Sequence, residues 1–163
     1  MIYIREGVFE TNSSSTHSIV IVRENTTPNN EVDFRIGEFG WTRDLLTTPN
    51  EKASYFYTSA CDCLNKDVAD DITALLTPYG IKCTFSKKAI FESSGDYKWL
   101  YNGYVDHSEN SREFVEALFN DTSKLIDFLF NGESYVETGN DNDDYPVGET
   151  KPHCEYIEYY KGN

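Results

Sequence analysis

The sequence T-N-S-S-S-T-H-S-I-V-I-V, from Thr11 to Val22, contains the segment on which the fold prediction rests. Its last four residues, Ile19 to Val22, are all β-branched, and such a run predicts a strand that is buried on both faces. Seven of the eight residues before them carry hydroxyl or amide side chains, and the eighth is His17. We expect the apolar segment from Ile2 to Phe9 to pair antiparallel with this strand, which makes the polar residues between the two segments a loop.

This polar loop, Thr11 to Ser18, contains more donors and acceptors than a chain reversal needs, since hairpin turns usually take about two to five residues such as Asn-Gly. One interpretation is structural: side chains such as Asn12 and Ser14 form turn hydrogen bonds that hold a tight corner. The other is functional, with Asn12 and Ser14 in contact with a partner. The sequence alone leaves both alternatives open.

Helix caps and 3.6-residue periodicity predict about four helices in the middle of the chain. The first begins at the capping box Thr48 to Glu51, which places Pro at the first helical position. Asn65 or Asp67 caps the second helix. Two further helices follow His107, and Asp121 caps the last of them.

Strand-like segments flank these helices. Ile81 to Phe85, Ser134 to Glu137 and Cys154 to Tyr160 have the composition of strands, whereas the polar, turn-rich stretch from Glu24 to Gly40 is expected to be a surface excursion. At 163 residues the chain is long enough for one domain with a core of its own. Strands at both ends with the helices grouped between them predict a single α+β domain over residues 1–163, with an antiparallel or mixed sheet.

The charge of the chain limits its partners. Lys and Arg number 14 and Asp and Glu number 28, so the net charge is -14, and the segment from Tyr104 to Asn163 has 14 acidic and 4 basic residues, a net charge of -10. Such a chain repels phosphate backbones and attracts basic protein surfaces. We therefore expect a basic protein surface as partner and no direct nucleic-acid binding.

The N-terminal residues predict the cellular location. The first ten residues have no apolar core followed by a small-residue cleavage site, and no run of about 18 apolar residues occurs anywhere. We expect a cytoplasmic protein without membrane contact, in which the four cysteines are thiols. A zinc site at Cys61 and Cys63 is disfavoured, because residues two apart on a helix point in different directions.

Three polar segments contain the side chains that general acid/base or hard-metal chemistry would use: Thr11 to Ser18, the pair Asp106-His107, and the segment from Asn140 to Asp144. If the protein is an enzyme, the catalytic candidates are His17, Asp106 and His107. The candidates for metal ligands are Asp141 and Asp143. An EF-hand loop is excluded because Pro146 occupies the position of the required Gly, and the polar loop lacks the Gly and Lys of a phosphate-binding loop, so no metal or cofactor is expected.

Four sequence stretches carry a resemblance to a known group of proteins. They are Gly7 to Ser18 (G-V-F-E-T-N-S-S-S-T-H-S), Gly103 to His107 (G-Y-V-D-H), Phe128 to Asn131 (F-L-F-N) and Asn140 to Asp143 (N-D-N-D). They resemble uncharacterised proteins from phages and low-GC Gram-positive bacteria that have no established activity, and the likeness covers about a third of the chain. The resemblance implies a phage or mobile-element setting and groups the three polar segments as one candidate site.

Two hypotheses of function follow. The first is a non-enzymatic, acidic accessory factor that inhibits a host nucleic-acid-handling or defence protein, such as a nuclease, by mimicking nucleic acid in an anti-CRISPR-like manner. The carboxylates assigned to this surface belong to the helices after residue 106 and are Glu109, Glu113, Glu116, Asp121 and Asp127. The alternative is a metal-assisted phosphoester or nucleotide hydrolase that uses the polar His and Asp segments.

Overall fold

The computed structural model describes residues 15–24, 26–106, 111–140 and 157–162, and within them the chain has the predicted α+β architecture. The described helices are Pro49–Leu64 (α1), Ala69–Leu76 (α2), Ser111–Asn120 (α3) and Thr122–Phe130 (α4). The described strands are Ser15–Val22 (β1), Glu31–Arg35 (β2), Glu38–Phe39 (β3), Asp44–Leu46 (β4), Lys82–Lys87 (β5), Phe91–Ser94 (β6), Tyr97–Leu100 (β7), Tyr104–Val105 (β8), Tyr135–Asn140 (β9) and Ile157–Gly162 (β10).

Strand β1 lies inside a four-stranded antiparallel sheet of order β10-β1-β9-β4. Ile19 to Val22 are 0–3% exposed, which confirms the predicted burial on both faces. The predicted pairing partner is wrong for this run, because Ile19 is opposite Val136 of β9 on one side and Tyr160 of β10 on the other. The segment from Ile2 to Phe9 lies outside the described residues.

The stretch from Glu24 to Gly40 is not the surface excursion that its polarity predicts. It contains β2, which pairs parallel with β5, and β3, which pairs parallel with β8. Val32, Phe34 and Ile36 alternate with polar residues and are each at most 2% exposed. This period of two is the signature of a half-buried strand, and here it outweighs the turn-forming residues that precede it.

Side chains of helix α1 cover the edge of β2 that does not face β5. Three residues one turn apart on α1 lie beside alternate backbone N–H groups, so the helix replaces a neighbouring strand. Asn50 Oδ1 accepts from Asp33 N at 3.0 Å, Ser54 Oγ accepts from Arg35 N at 3.2 Å, and Thr58 Oγ1 accepts from Gly37 N at 3.0 Å.

Local signals define where the helices begin. The Thr48 hydroxyl accepts from Glu51 N, and the Glu51 carboxylate accepts from Thr48 N at 2.9 Å, so the predicted capping box is confirmed. Asp121 caps α4 by accepting from Lys124 N at 3.0 Å, also as predicted. None of the helices in the described part of the chain is long and apolar enough to cross a bilayer.

The helices share one hydrophobic core with the sheet. Phe114 of α3 contacts the rings of Phe56 on α1 and Phe128 on α4, with ring centroids 6.0 and 5.3 Å apart. All three side chains are at most 1% exposed. Aromatic side chains contribute large buried areas, so this contact joins the two helical segments of the chain into one packed unit.

Candidate functional site

His17 lies near the start of β1 and is 2% exposed. Its Nε2 is 2.8 Å from the main-chain oxygen of Asp106, and its Nδ1 is 3.1 Å from the hydroxyl of Tyr55 on α1. A carbonyl oxygen only accepts, so Nε2 carries a hydrogen, and in the neutral ring Nδ1 accepts from the Tyr55 hydroxyl. Burial raises the pKa of Tyr55 well above its usual value, which keeps that donor protonated.

Asp106 reaches this position because β8 runs beside β3. Asp106 N donates to Phe39 O at 2.8 Å, and Tyr104 N donates to Gly37 O at 3.0 Å. Gly103 is necessary for this approach, since a Cβ there would lie 2.5 Å from the oxygen of Gly37. A glycine three residues before Asp106 therefore lets β8 come close enough to present its carbonyl to the His17 ring.

The third polar segment begins at the same end of the sheet. Ser15 is opposite Asn140 in the register of β1 and β9, and His17 is opposite Thr138. The structure thus brings together His17, Asp106 and the beginning of the segment from Asn140. The remaining candidates from these segments lie outside the described residues and are Asn12, Ser14, His107, Asp141 and Asp143.

The described part of this centre has the chemistry of a structural link. Both ring nitrogens of His17 are engaged by neighbours that are themselves fixed, so proton transfer to a ligand would require breaking one of these contacts. Within the described ranges, no cluster of three or more His, Cys, Asp or Glu side chains could hold a metal ion. Burial raises the pKa of Cys61 to about 12, so this thiol is not a nucleophile at neutral pH.

A second buried polar centre, which the sequence did not predict, lies at the other end of β1. The Lys52 side chain is fully buried, and its Nζ donates to the main-chain oxygens of Asn131 at 2.8 Å and Ser134 at 2.9 Å. The Ser134 hydroxyl lies 2.9 Å from Val22 N, which donates to it. We call Val22, Lys52, Asn131 and Ser134 the Lys52 centre. Burial lowers the pKa of Lys52 to about 8, because it disfavours the charged ammonium.

The carboxylates assigned to an acidic binding surface occupy different environments. Glu113 and Glu116 are exposed on α3, and Glu116 forms an ion pair with Arg112 at 2.9 Å. Glu109 is outside the described residues. Burial raises the pKa of the Cys63 thiol on α1, and the charge of Arg112 on α3 opposes that shift.

The other two assigned carboxylates serve internal contacts. Asp127 is 4% exposed and receives Arg23 Nε at 3.0 Å, so it is not part of an exposed acidic surface, contrary to its assignment. Asp121, whose side chain is 40% exposed, caps α4 and also contacts Arg23 at 3.3 Å. A local sequence pattern cannot predict these two contacts, because Arg23 is about 100 residues away from both carboxylates.

Comparison with family models, curated proteins and solved structures finds no match to this chain.

Proposed function

We propose that this protein is a non-enzymatic, acidic protein-binding factor of a phage or mobile element that occupies the basic surface of a host nucleic-acid-handling or defence protein. The observation that carries the proposal is the division of carboxylates between surface and interior. The buried carboxylates of Asp127 and Glu137 contact Arg23 and Arg43, whereas Glu113 and Glu116 are exposed on α3, where Glu116 also pairs with the exposed Arg112. The surplus negative charge therefore lies at the surface.

The spacing of these exposed groups supports a mimic of nucleic acid. Positions three and four apart share one face of a helix, so Glu113 and Glu116 lie side by side. A groove that binds phosphates presents lysine and arginine side chains, and carboxylates satisfy the same donors. Complementary charge of this kind accelerates encounter and suppresses wrong partners more than it sets affinity.

The test is capture of nucleic-acid-binding proteins from a bacterial lysate by immobilised protein, at increasing salt and with duplex DNA as competitor. We expect the captured proteins to elute with salt, because exposed charges are screened over about 8 Å at physiological ionic strength, and to be displaced by DNA. The variant Glu113→Lys with Glu116→Lys should lose capture.

A matched control separates a localised surface from bulk charge. Glu24→Lys with Glu133→Lys changes the net charge by the same amount at two exposed positions outside α3. Capture should survive in this control. Equal loss in both variants, or capture that DNA does not displace, would contradict the proposal.

The convergence of polar segments favours a second candidate, a metal-assisted phosphoester or nucleotide hydrolase. His17 contacts Asp106, which precedes His107, and Asn140, which precedes Asp141, is opposite Ser15. In this candidate His17 is a positioning residue, and His107 and Asp141 are the residues that act on the substrate.

Its test is hydrolysis of a nucleotide and phosphodiester panel with Mg²⁺ or Mn²⁺. Turnover should be lost in His107→Ala and in Asp143→Asn, and retained in Asp96→Asn, a change at an exposed turn between β6 and β7. Absence of turnover in the unmodified protein would eliminate this candidate.

A further inference from the structure

The hairpin of β6 and β7 exposes an aromatic face. Its register places Phe91 opposite Leu100 and Trp99 opposite Glu92, so successive residues alternate between the two faces. Phe91 and Leu100 point to the core, and Leu100 is 6% exposed. The opposite face consists of Ile90, Tyr97, Trp99 and Tyr101, which are 54%, 81%, 41% and 61% exposed, and these four residues are the aromatic face.

Contacts at the base of the hairpin and along its core-facing side hold its two strands together. Tyr101 N donates to Ile90 O at 2.7 Å, and Ile90 N donates to the side chain of Asn102 at 2.9 Å. The Lys98 ammonium lies 4.7 Å from the centre of the Phe91 ring, on the side away from the aromatic face. A surface supported in this way keeps its shape on binding.

The aromatic face is large for the surface of a monomer. With about 200 Å² for a whole aromatic side chain, its three rings expose on the order of 400 Å². This equals the largest apolar patches of typical monomers and is about half of what each partner contributes to a standard interface. Among the described residues, none makes a ring contact or a side-chain hydrogen bond with these three aromatic side chains.

Charge decides which partner this face accepts. Residues 81–102 contain four lysines and two acidic residues, a net charge of +2, whereas the remaining residues contain 10 basic and 26 acidic side chains, a net charge of -16. Two copies of this chain repel each other over most of their surfaces. They approach at the lowest electrostatic cost through the segment that is not acidic.

We propose that the aromatic face is the contact between two copies of the chain, arranged about a two-fold axis. A two-fold contact uses the same patch on both copies, and stacked tyrosine and tryptophan rings suit its centre because these residues are enriched there and charged residues are depleted. Glu92 is the one charged residue that shares this face of the hairpin strands. Lys87 and Lys88, both exposed at the base of the hairpin, then lie at the rim of the contact.

The test is sedimentation equilibrium of the full chain over a range of protein concentrations, at low salt and at roughly 0.5 M sodium chloride. We expect a dimer whose dissociation constant falls with salt, since screening reduces the repulsion between two chains of charge -14. Tyr97→Ala with Trp99→Ala should raise that constant at least about tenfold. Both side chains are exposed, so the melting temperature reports independently that the variant is folded.

The matched control is Tyr79→Ala with Trp41→Ala, which removes one exposed tyrosine and one exposed tryptophan, 53% and 57% exposed, outside the hairpin. Dimerisation should survive in it. A chain that stays monomeric at every concentration and salt overturns the proposal and assigns the face to a different macromolecule. Equal weakening in both variants also overturns the proposal. The opposite salt dependence of dimerisation and of capture by the acidic surface makes the two proposals fail separately.

Discussion

Helix α1 and the β6–β7 hairpin differ in how they present their side chains. Nine residues of α1, between Lys52 and Cys61, are buried, so the helix is surrounded on nearly every side. In the hairpin, every residue from Glu92 to Trp99 is exposed. A helix buried all round is a core element, whereas exposed aromatic side chains in a cluster mark a contact surface. The comparison separates the part of the molecule that maintains the fold from the part that is available to a partner.

The difference is also visible in polar contacts. Three buried polar side chains of α1 have partners in other elements: Lys52 contacts the turn after α4, Tyr55 contacts His17, and Thr58 contacts Gly37. Buried polar groups need such partners because an unpaired one costs about 1–3 kcal/mol. Changes in α1 should therefore act on stability, and changes in the hairpin should act on association.

The largest effect is expected for Phe56→Ala. Phe56 is fully buried and contacts the rings of Phe114 and Phe119, so the truncation leaves a cavity that should lower the free energy of unfolding by about 4 kcal/mol. Urea denaturation measures this loss. Trp99→Ala removes a larger ring from the hairpin and should cost about 1 kcal/mol or less. Similar losses at the two sites would contradict the division between α1 and the hairpin.

The next effect is the pH dependence that Lys52 contributes. Its pKa of about 8 in the folded state lies below the value of 10.5 for a free lysine. Above pH 8 the folded chain loses this proton while the unfolded chain keeps it, so the free energy of unfolding rises with pH in this window. Relative to Lys52→Met, the unmodified protein should gain on the order of 2 kcal/mol from pH 7 to pH 10. A constant difference between the two proteins over this range would show that Lys52 does not titrate there.

A smaller effect is expected for Tyr55→Phe, which removes the hydroxyl at His17 Nδ1 and keeps the ring. The lost hydrogen bond should lower the free energy of unfolding by about 1 to 2 kcal/mol. ¹⁵N NMR of the His17 ring should show the hydrogen on Nε2 in the unmodified protein. Detection of the Nδ1–H tautomer would contradict the proposed contact with the Asp106 carbonyl.

The smallest effect is expected for Tyr97→Ser at the tip of the hairpin. Tyr97 is 81% exposed, so the free energy of unfolding of the monomer should change by no more than about 0.5 kcal/mol. Thermal denaturation at a concentration below dimerisation measures it. A clear loss of stability in the monomer would mean that the aromatic face supports the fold rather than a partner.

Features encoded by a few neighbouring residues could be predicted from the sequence. The capping box at Thr48 and the cap at Asp121 define helix starts with hydrogen bonds that span three residues, and both are confirmed. The β-branched run from Ile19 to Val22 likewise specifies a buried strand by composition alone. Strand β2 carries a visible alternation of Val32, Phe34 and Ile36, but the polar, turn-forming residues before it predict a surface excursion instead.

Features that depend on distant parts of the chain could not be predicted in this way. Lys52 follows Glu51 on a helix, a pattern typical of a solvated face, and only the turn after α4 provides the carbonyl groups that hold its ammonium inside. The contact of His17 with Asp106 joins residues 89 positions apart. The candidate site could be predicted as a set of polar segments, whereas its central contact required the fold.

The row of Asn50, Ser54 and Thr58 along β2 has a consequence for the behaviour of the protein at high concentration. An open strand edge is a template for another chain and a starting point for aggregation. Here the three N–H groups that an incoming strand would need are already engaged by α1. The two hydroxyl groups of the row are held in turn by the helix, since Ser54 donates to Asn50 O at 2.7 Å and Thr58 donates to Ser54 O at 2.8 Å. The helix thus protects the outer edge of β2 against intermolecular β-sheet growth without a further strand.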